Sequence, residues 1–220
     1  MRKLGKPWVQ AAIDVLERDK AKALAETAAK AGADWIEAGT PLLYYESVRS
    51  IEDVVAAAAG RPVVVDYKAQ DGVYKYFAKA ADYGAQYAVI LGFCNDGSIK
   101  EAVRAGKERG IKVIADLFSI KPKDFALRAT ELESLGVDAV YVHFGFDESK
   151  YDKVRKPYEG VREVYEAVEI PVGVGAFSLE DAERGLSQGA SWIVMGAPLL
   201  TTPDDYAQFK EFVDAVHAFR

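Results

Sequence analysis

The stretch AGADWIEAG (residues 31–39) sets a pattern that the chain repeats three more times. A glycine and a small residue precede a short apolar run, which is closed by another glycine or by a charged residue. The first glycines of the four stretches lie 52, 52 and 53 residues apart. Spacing this regular indicates a repeated structural unit. The later stretches are YGAQYAVILG (83–92), LGVDAVYVHFG (135–145) and QGASWIVMG (188–196).

A second kind of stretch lies midway between these, so each interval holds two units of about 26 residues. Each unit is predicted to be a helix followed by a strand. The segment DKAKALAETAAKAG (19–32) spaces apolar residues three and four apart and ends in glycine, which is typical of an amphipathic helix and its C-terminal cap. The apolar runs that follow the glycines are continuous and β-branched, as buried parallel strands require. The midway stretches are GRPVVVDYK (60–68), GIKVIADLF (110–118) and EIPVGVGAF (169–177).

Eight such units predict a single (β/α)8 barrel of the TIM type as one domain over residues 1–220. An open doubly wound sheet is the alternative, which repetition at a fixed interval disfavours. A chain of 220 residues with 50% hydrophobic content can bury one such core. The predicted strands are Val9–Ile13, Trp35–Ile36, Val63–Val65, Tyr87–Leu91, Lys112–Ala115, Ala139–Val142, Val172–Val174 and Trp192–Met195.

The composition limits the classes of partner. A net charge of −6, with acidic and basic residues interspersed, provides no basic stripe for nucleic acid or for an anionic membrane. The single cysteine, Cys94, excludes a disulfide framework, and no apolar run reaches the ~18 residues of a membrane helix. We therefore expect a cytoplasmic protein whose partner is a small molecule.

Ionisable residues follow five of the eight predicted strands. In a (β/α)8 barrel the C-terminal strand ends meet at one mouth, where active sites lie. Acids that converge there must be solvated, paired or bound to a cation. Alternatively, each residue taken singly is an exposed loop charge. The residues are Asp14 after strand 1, Glu37 after strand 2, Asp66, Lys68 and Asp71 after strand 3, Asp116 after strand 5 and His143 after strand 6.

These residue types point to metal-assisted chemistry on an anionic intermediate. Glu37 and Asp66, on adjacent strands, can offer oxygens to one Mg²⁺, which takes one or two protein carboxylates and keeps water ligands. If the strand geometry continues, Lys68 points the same way as Asp66 and supplies a fixed positive charge. Histidine exchanges protons near neutral pH, so His143 is a candidate general acid or base; a structural histidine bound to a backbone carbonyl is the alternative.

The motif DYKAQD (66–71) resembles the D-x-K-x-x-D motif of the orotidine 5′-monophosphate decarboxylase suprafamily. Further motifs resemble the 3-hexulose-6-phosphate synthases and the 3-keto-L-gulonate-6-phosphate decarboxylases of that suprafamily. They occur in the expected order along nearly the whole chain. These motifs are AAID (11–14), IEAGTPLL (36–43), IADL (114–117) and YVHFGFD (141–147).

The resemblance implies a Mg²⁺-dependent lyase that acts on a sugar phosphate through a 1,2-enediolate. The enediolate is added to formaldehyde in the synthase, whereas in the decarboxylase it forms by loss of CO2 and is then protonated. The implied roles are metal binding for Glu37 and Asp66, enediolate stabilisation for Lys68, proton transfer for His143, substrate binding for Asp14 and Asp116, and, for Asp71, a reach across a homodimer interface into the partner's site.

Two positions favour the synthase over the decarboxylase. Asp116 stands where the decarboxylase has glutamate, and Phe146 stands where it has arginine, three residues after its histidine. The decarboxylase remains the alternative among enzymes, and a non-catalytic ligand-binding barrel is the alternative from another class.

The expected phosphate end departs from the resemblance. Relatives have glycine pairs after strand 7 and glycine pairs or Gly-Arg after strand 8, because backbone amides must approach a phosphate closely. Here the turns are VGAFS (174–178), with Ala176 and Phe177, and MGAPLL (195–200), with Ala197 and Pro198. Either Gly175, Ser178, Gly196 and Ala197 still bind a phosphate, or the substrate ends in a different group.

A polar connection over residues 144–160 follows strand 6. Connections of this length in compact domains are usually lids or binding loops. Its cations either reach a substrate anion or form a solvated surface. They are Lys150, Lys153, Arg155 and Lys156.

Overall fold

The computed structural model describes residues 6–219, in which eight parallel strands close into a barrel. Strand order follows chain order, and the first strand pairs with the last through Trp8 and Trp192. The predicted (β/α)8 barrel is thereby confirmed, and the open doubly wound sheet is excluded. Residues 1–5 and 220 lie outside the described part, so one domain over 1–220 stays a prediction.

The strands begin within a residue of their predicted positions, and among residues 6–219 each strand after the first follows a helix. The largest difference is in the third strand, which continues through Lys68 instead of ending at Val65. The bounds are β1 Trp8–Ile13, β2 Trp35–Ala38, β3 Val63–Ala69, β4 Tyr87–Leu91, β5 Lys112–Asp116, β6 Ala139–Val142, β7 Val172–Gly175 and β8 Trp192–Met195.

Helices cover the outside of the barrel, and glycines end several of them as predicted. Gly32 and Gly136 adopt left-handed conformations with φ of 98°, where a side chain would be strained. The connection over residues 144–160 contains a short helix. The bounds are α1 Arg18–Ala31, α2 Thr40–Glu46, α3 Ser50–Ala57, α4 Val73–Asp82, α5 Asp96–Arg109, α6 Phe125–Leu135, α7 Phe146–Tyr151, α8 Val161–Ala167, α9 Leu179–Ser187 and α10 Tyr206–Ala218.

Aromatic side chains fill the barrel at the N-terminal ends of the strands. The ring of Trp35 lies 5.1 Å from Trp8, 4.5 Å from Tyr87 and 5.5 Å from Trp192, measured between centroids. Gly173 on β7 makes room for the indole of Trp192, since a Cβ at this position would lie 2.1 Å from Cε2. The aromatic packing therefore depends on glycine at position 173.

Within residues 6–219 no helix is both long and apolar enough to cross a membrane. Cytoplasmic residence and the lack of a nucleic-acid partner stay predictions.

We predict that Gly173→Ala lowers the free energy of unfolding by about 1–3 kcal/mol, because the added methyl group overpacks the barrel against Trp192. Urea unfolding followed by circular dichroism measures the loss. The double variant Gly173→Ala/Trp192→Phe is the control, and it should be more stable than the sum of the two single effects predicts. Strict additivity would show that the two positions do not compete for the same space.

Candidate active site

A cavity of about 520 Å³ opens at the C-terminal mouth of the barrel. Its wall brings together residues from strands that are far apart in sequence. One side is acidic and the other, at the turns after β7 and β8, is largely apolar. The predicted site residues on the wall are Asp14, Glu37, Asp66, Lys68, His143, Gly175, Gly196 and Ala197.

Glu37 lies buried on β2 and is held by a side chain that none of the sequence motifs includes. Gln10 on β1 donates a hydrogen bond from Nε2 to Glu37 Oε2 at 2.6 Å. Burial raises the pKa of Glu37 well above its ordinary value, and the carboxylates of Asp66 and Asp14 raise it further. The signal for Gln10 was available, since it is a polar residue within the apolar run WVQAAI.

Asp14 follows β1 at the cavity mouth, where the cavity leaves its side chain open to water although protein surrounds it. That surrounding burial raises its pKa, and the charge of Asp66 adds to the shift. Gly39 makes room for the carboxylate, because a Cβ there would lie 2.3 Å from Asp14 Oδ1. The mouth therefore holds an excess of acid.

Lys68 is the positive charge within this acidic side. The strand is irregular here: its register with β4 shifts between Val65 and Ala69, and Lys68 has a φ of 46° rather than the expected extended value. The ammonium nevertheless bonds to Asp66 Oδ2, and it donates to Thr40 Oγ1 at 3.0 Å.

The environment of Lys68 keeps its ammonium protonated. Burial alone would lower the pKa of Lys68, but the carboxylates of Asp66 and then Asp116 outweigh burial and raise it. A residue with positive φ is uncommon unless it is glycine, and such strain clusters at functional sites. The lysine is therefore a permanent cation in a fixed position.

His143 is oriented by Asp116. Its Nδ1 lies 2.8 Å from Asp116 Oδ2, and the other oxygen of this fully buried carboxylate accepts the amide of Phe118 at 2.8 Å. The ring of Tyr141 stacks on the imidazole at 4.8 Å. The pairing fits an Nδ1–H donor, which leaves Nε2 free to accept a proton. Asp116 lies behind His143 rather than on the cavity wall, and its predicted contact with substrate stays a prediction.

The acidic side fits a divalent cation. Asp66 Oδ1 is buried and has no hydrogen-bond partner, whereas its other oxygen contacts Lys68 and Thr40. Among the described residues, no three His, Cys, Asp or Glu side chains form a complete ligand set. A pair such as Glu37 and Asp66 suits Mg²⁺, which fills its remaining positions with water and substrate oxygens.

Asp71 lies apart from the cavity. It lines a neighbouring groove of about 280 Å³, which Thr40 and Lys68 also line. Tyr44 and Tyr76 on the same groove are 80% and 47% exposed. The groove therefore reaches Lys68 from outside the barrel mouth.

The turn after β7 places its residues differently from the prediction. Ala176 and Phe177 line the cavity beside Gly175, whereas Ser178 is exposed and caps α9 by accepting the amide of Asp181 at 3.1 Å. A role for Ser178 in substrate binding stays a prediction.

Comparisons with known proteins agree with this geometry. A model of the orotidine 5′-phosphate decarboxylase / HUMPS family matches residues 7–212. A curated relative, 3-hexulose-6-phosphate synthase 3 of Staphylococcus saprophyticus, is 28% identical over 211 residues, which is 94% of this chain and 98% of the relative. A crystal structure of 3-hexulose-6-phosphate synthase is similar with a TM-score of 0.86 at 29% identity, covering 94% of this chain and 99% of that chain.

A further solved structure, 3-keto-L-gulonate-6-phosphate decarboxylase from Vibrio cholerae, has a TM-score of 0.78 at 19% identity and covers 95% of this chain and 98% of its own. At that identity the likeness shows the shared fold alone. The synthase relatives, together with the matched family model, confirm the resemblance drawn from the motifs and make the chain an enzyme of the lyase class. The chain belongs to the orotidine 5′-phosphate decarboxylase / HUMPS family.

Proposed function

We propose that the chain is a Mg²⁺-dependent aldolase of the 3-hexulose-6-phosphate synthase type, which forms a 1,2-enediolate from a ketose and joins it to formaldehyde. The observation that carries the proposal is the shared cavity in which the Lys68–Asp66 ion pair and the His143–Asp116 pair meet. Ribulose 5-phosphate and formaldehyde are the reference reactants. The reaction uses C1 and C2 of the ketose and makes no demand on the group at C5.

The side chains divide the steps of the reaction. His143 Nε2 takes the proton from C1, and the bond electrons shift so that the C2 carbonyl oxygen becomes anionic. Lys68 stabilises that oxygen with a preorganised positive charge. C1 then bonds to the carbon of formaldehyde, whose carbonyl π bond breaks, and the imidazolium returns the proton to the formaldehyde oxygen. Asp14 orients the hydroxyl groups of the ketose.

Glu37 and Asp66 would hold Mg²⁺, which supplies additional positive charge to the oxygens of the enediolate. Gln10 orients Glu37 through the hydrogen bond at 2.6 Å. Thr40 fixes one oxygen of Asp66 and leaves the other for the cation.

Phe146 favours the aldol reaction over decarboxylation. It lies on the cavity wall, three residues after His143, where it offers no positive charge to a carboxylate leaving group. The alternative is a decarboxylase of 3-keto-L-gulonate 6-phosphate.

The first prediction from the proposed function concerns Lys68→Met, which removes the charge and keeps the length of the side chain. Exchange of the C1 proton of ribulose 5-phosphate with D2O, followed by NMR in the presence of Mg²⁺, should fall about 10²–10³-fold. Lys100→Met, at an exposed position of α5, is the control and should leave exchange unchanged. Unaltered exchange in folded Lys68→Met would rule out the proposed role of this lysine.

Product analysis separates the two lyase reactions. The wild-type chain should consume formaldehyde together with ribulose 5-phosphate. Release of CO2 from 3-keto-L-gulonate 6-phosphate without consumption of formaldehyde would establish the decarboxylase instead.

The second prediction concerns the charge of Glu37 in metal-free protein. Its folded pKa is raised above the ordinary value of 4.5, so the wild type loses stability as the pH rises above 4.5 and the unfolded chain ionises more readily. Glu37→Gln lacks this loss and should melt at a higher temperature at pH 8, with the difference vanishing near pH 4. Each 1 kcal/mol corresponds to about 2–4 °C in a chain of this size.

Calorimetry in EDTA measures the melting temperatures, and Glu26→Gln on the exposed face of α1 is the control. Added Mg²⁺ should stabilise the wild type but not Glu37→Gln, because ligand binding stabilises only a chain that retains its ligands. A pH-independent difference between wild type and Glu37→Gln would contradict the assigned pKa shift.

We further propose a homodimer in which Asp71 of one subunit serves the site of the other. Asp71 lines the outer groove rather than its own cavity, yet that groove ends at Lys68. Exposed tyrosines surround the groove, and tyrosine is enriched in the cores of protein interfaces. A two-fold interface over this face brings two copies of Asp71 into equivalent positions.

The third prediction uses two inactive variants, Lys68→Met and Asp71→Asn. A mixed dimer has one site with an intact lysine and an intact partner aspartate, so refolding the two variants together should restore about a quarter of wild-type activity when subunits pair at random. No recovery would place Asp71 in its own subunit's site. Sedimentation of an active monomer would exclude the dimer.

A further inference from the structure

The turn after β7 presents an aromatic side chain to the cavity. Phe177 lines the wall, and its ring meets that of Phe144 edge to face at 6.4 Å between centroids. Ala176 beside it is buried. A phosphate bound by this turn would need close approach to the backbone, and here a bulky phenyl side chain lines the cavity in place of a glycine.

Two backbone amides of this turn already have protein acceptors. Phe177 donates its amide to Asp181 Oδ2 at 3.2 Å, and Ala176 donates its amide to the carbonyl of Val194 at 3.0 Å. Asp181 in turn donates its own amide to Ser178 Oγ. The carboxylate of Asp181 thus takes a position at the helix N-terminus that favours an anion, and it repels a second one.

The turn after β8 also directs two of its amides to a protein acceptor. Pro198 has no amide hydrogen, and the amides of Leu199 and Leu200 both donate to the carbonyl of Gly196, at 3.0 and 2.9 Å. Each turn thus directs two of its amide donors to the protein itself.

The basic side chains that line the cavity wall, as far as residues 6–219 show it, also have partners. Lys68 pairs with Asp66, and the imidazole of His143 contacts Asp116. The cations of the 144–160 connection do not line the cavity: Lys150 bonds to Asp147, Lys153 to the carbonyl of Ser149 and Arg155 to Glu148, and Lys156 is exposed.

We propose that the far end of this cavity, under the turns after β7 and β8, binds an uncharged apolar group, so that the substrate is a ketose with an aryl or alkyl tail instead of a phosphate. The proposal rests on the enediolate chemistry for the head of the ketose. A phenyl-sized tail suits this apolar wall, because its binding would bury apolar surface and add edge-to-face ring contacts. The side chains that form this end are Phe144, Phe146, Ala176 and Phe177.

Three ketoses that differ only at C5 test the proposal: D-ribulose 5-phosphate, D-ribulose and 5-O-benzyl-D-ribulose. Isothermal titration calorimetry of the 220-residue chain, with each ketose as titrant and Mg²⁺ in the buffer, gives their dissociation constants. The benzyl ketose should bind at least tenfold more tightly than the 5-phosphate, and the 5-phosphate no more tightly than D-ribulose. A tenfold or greater preference for the 5-phosphate over D-ribulose, or equal binding of all three, overturns the proposal.

Phe177→Ala removes the ring without touching the groups that carry the reaction. It should weaken binding of the benzyl ketose about tenfold and leave that of D-ribulose unchanged. Phe93→Ala is the matched control, since Phe93 is half-exposed after β4 and does not line the cavity. Retention of benzyl affinity in Phe177→Ala overturns the assignment of the tail to this turn.

Exchange of the C1 proton in the same three ketoses separates this proposal from the reaction itself. If the benzyl ketose binds most tightly but its C1 proton does not exchange, the enediolate reaction is wrong and the apolar tail pocket is supported. If the C1 proton exchanges fastest in the 5-phosphate, the enediolate reaction is supported and the apolar tail pocket is wrong.

Discussion

The candidate site depends on one positive charge held among carboxylates. Lys68 is bonded to Asp66 within reach of Glu37 and Asp14, and its backbone adopts a left-handed conformation to hold that position. Burial first, and then the neighbouring carboxylates, raise the pKa values of both Glu37 and Asp14, and the charge of Lys68 does not offset this. An acidic cluster balanced by a single lysine is a strong attractor for a divalent cation, and the unpartnered oxygen of Asp66 is where that attraction has an available ligand.

The two ends of the cavity follow different constraints. At the acidic end, ion pairs and buried carboxylates hold each side chain in place. A substitution there changes the charge balance of the neighbouring groups. At the apolar end, the side chains belong to short turns. A residue such as Phe177 can be substituted there while the strands that precede the turns remain in register. This division explains how a barrel can keep one reaction type and change the molecules it accepts.

The sequence predicted the parts of the fold that follow from repetition. Evenly spaced units force eight strands into one ring, and the position of each strand end places Glu37, Asp66 and His143 at one mouth. The conformation of Lys68 was not predictable in this way, because it depends on a register shift between β3 and β4. Gln10 is signalled only as a polar residue in an apolar run, and the sequence does not show that it contacts Glu37. Thr40 lies in the motif IEAGTPLL, but its contacts are with Asp66 and Lys68, which are far from it along the chain. Asp116 was predicted to bind substrate. In the structure its side chain points to His143, and the sequence does not show this contact.

The aromatic packing at the N-terminal ends of the strands has a consequence for how reactants travel. Trp8, Trp35, Tyr87 and Trp192 close that end of the ring, so ligands enter and products leave through the same opening. A long ketose lying across this entrance obstructs the path behind it. A small carbonyl compound must then arrive first or pass through the gap that the ketose leaves, and the order of binding becomes a property of the barrel's architecture.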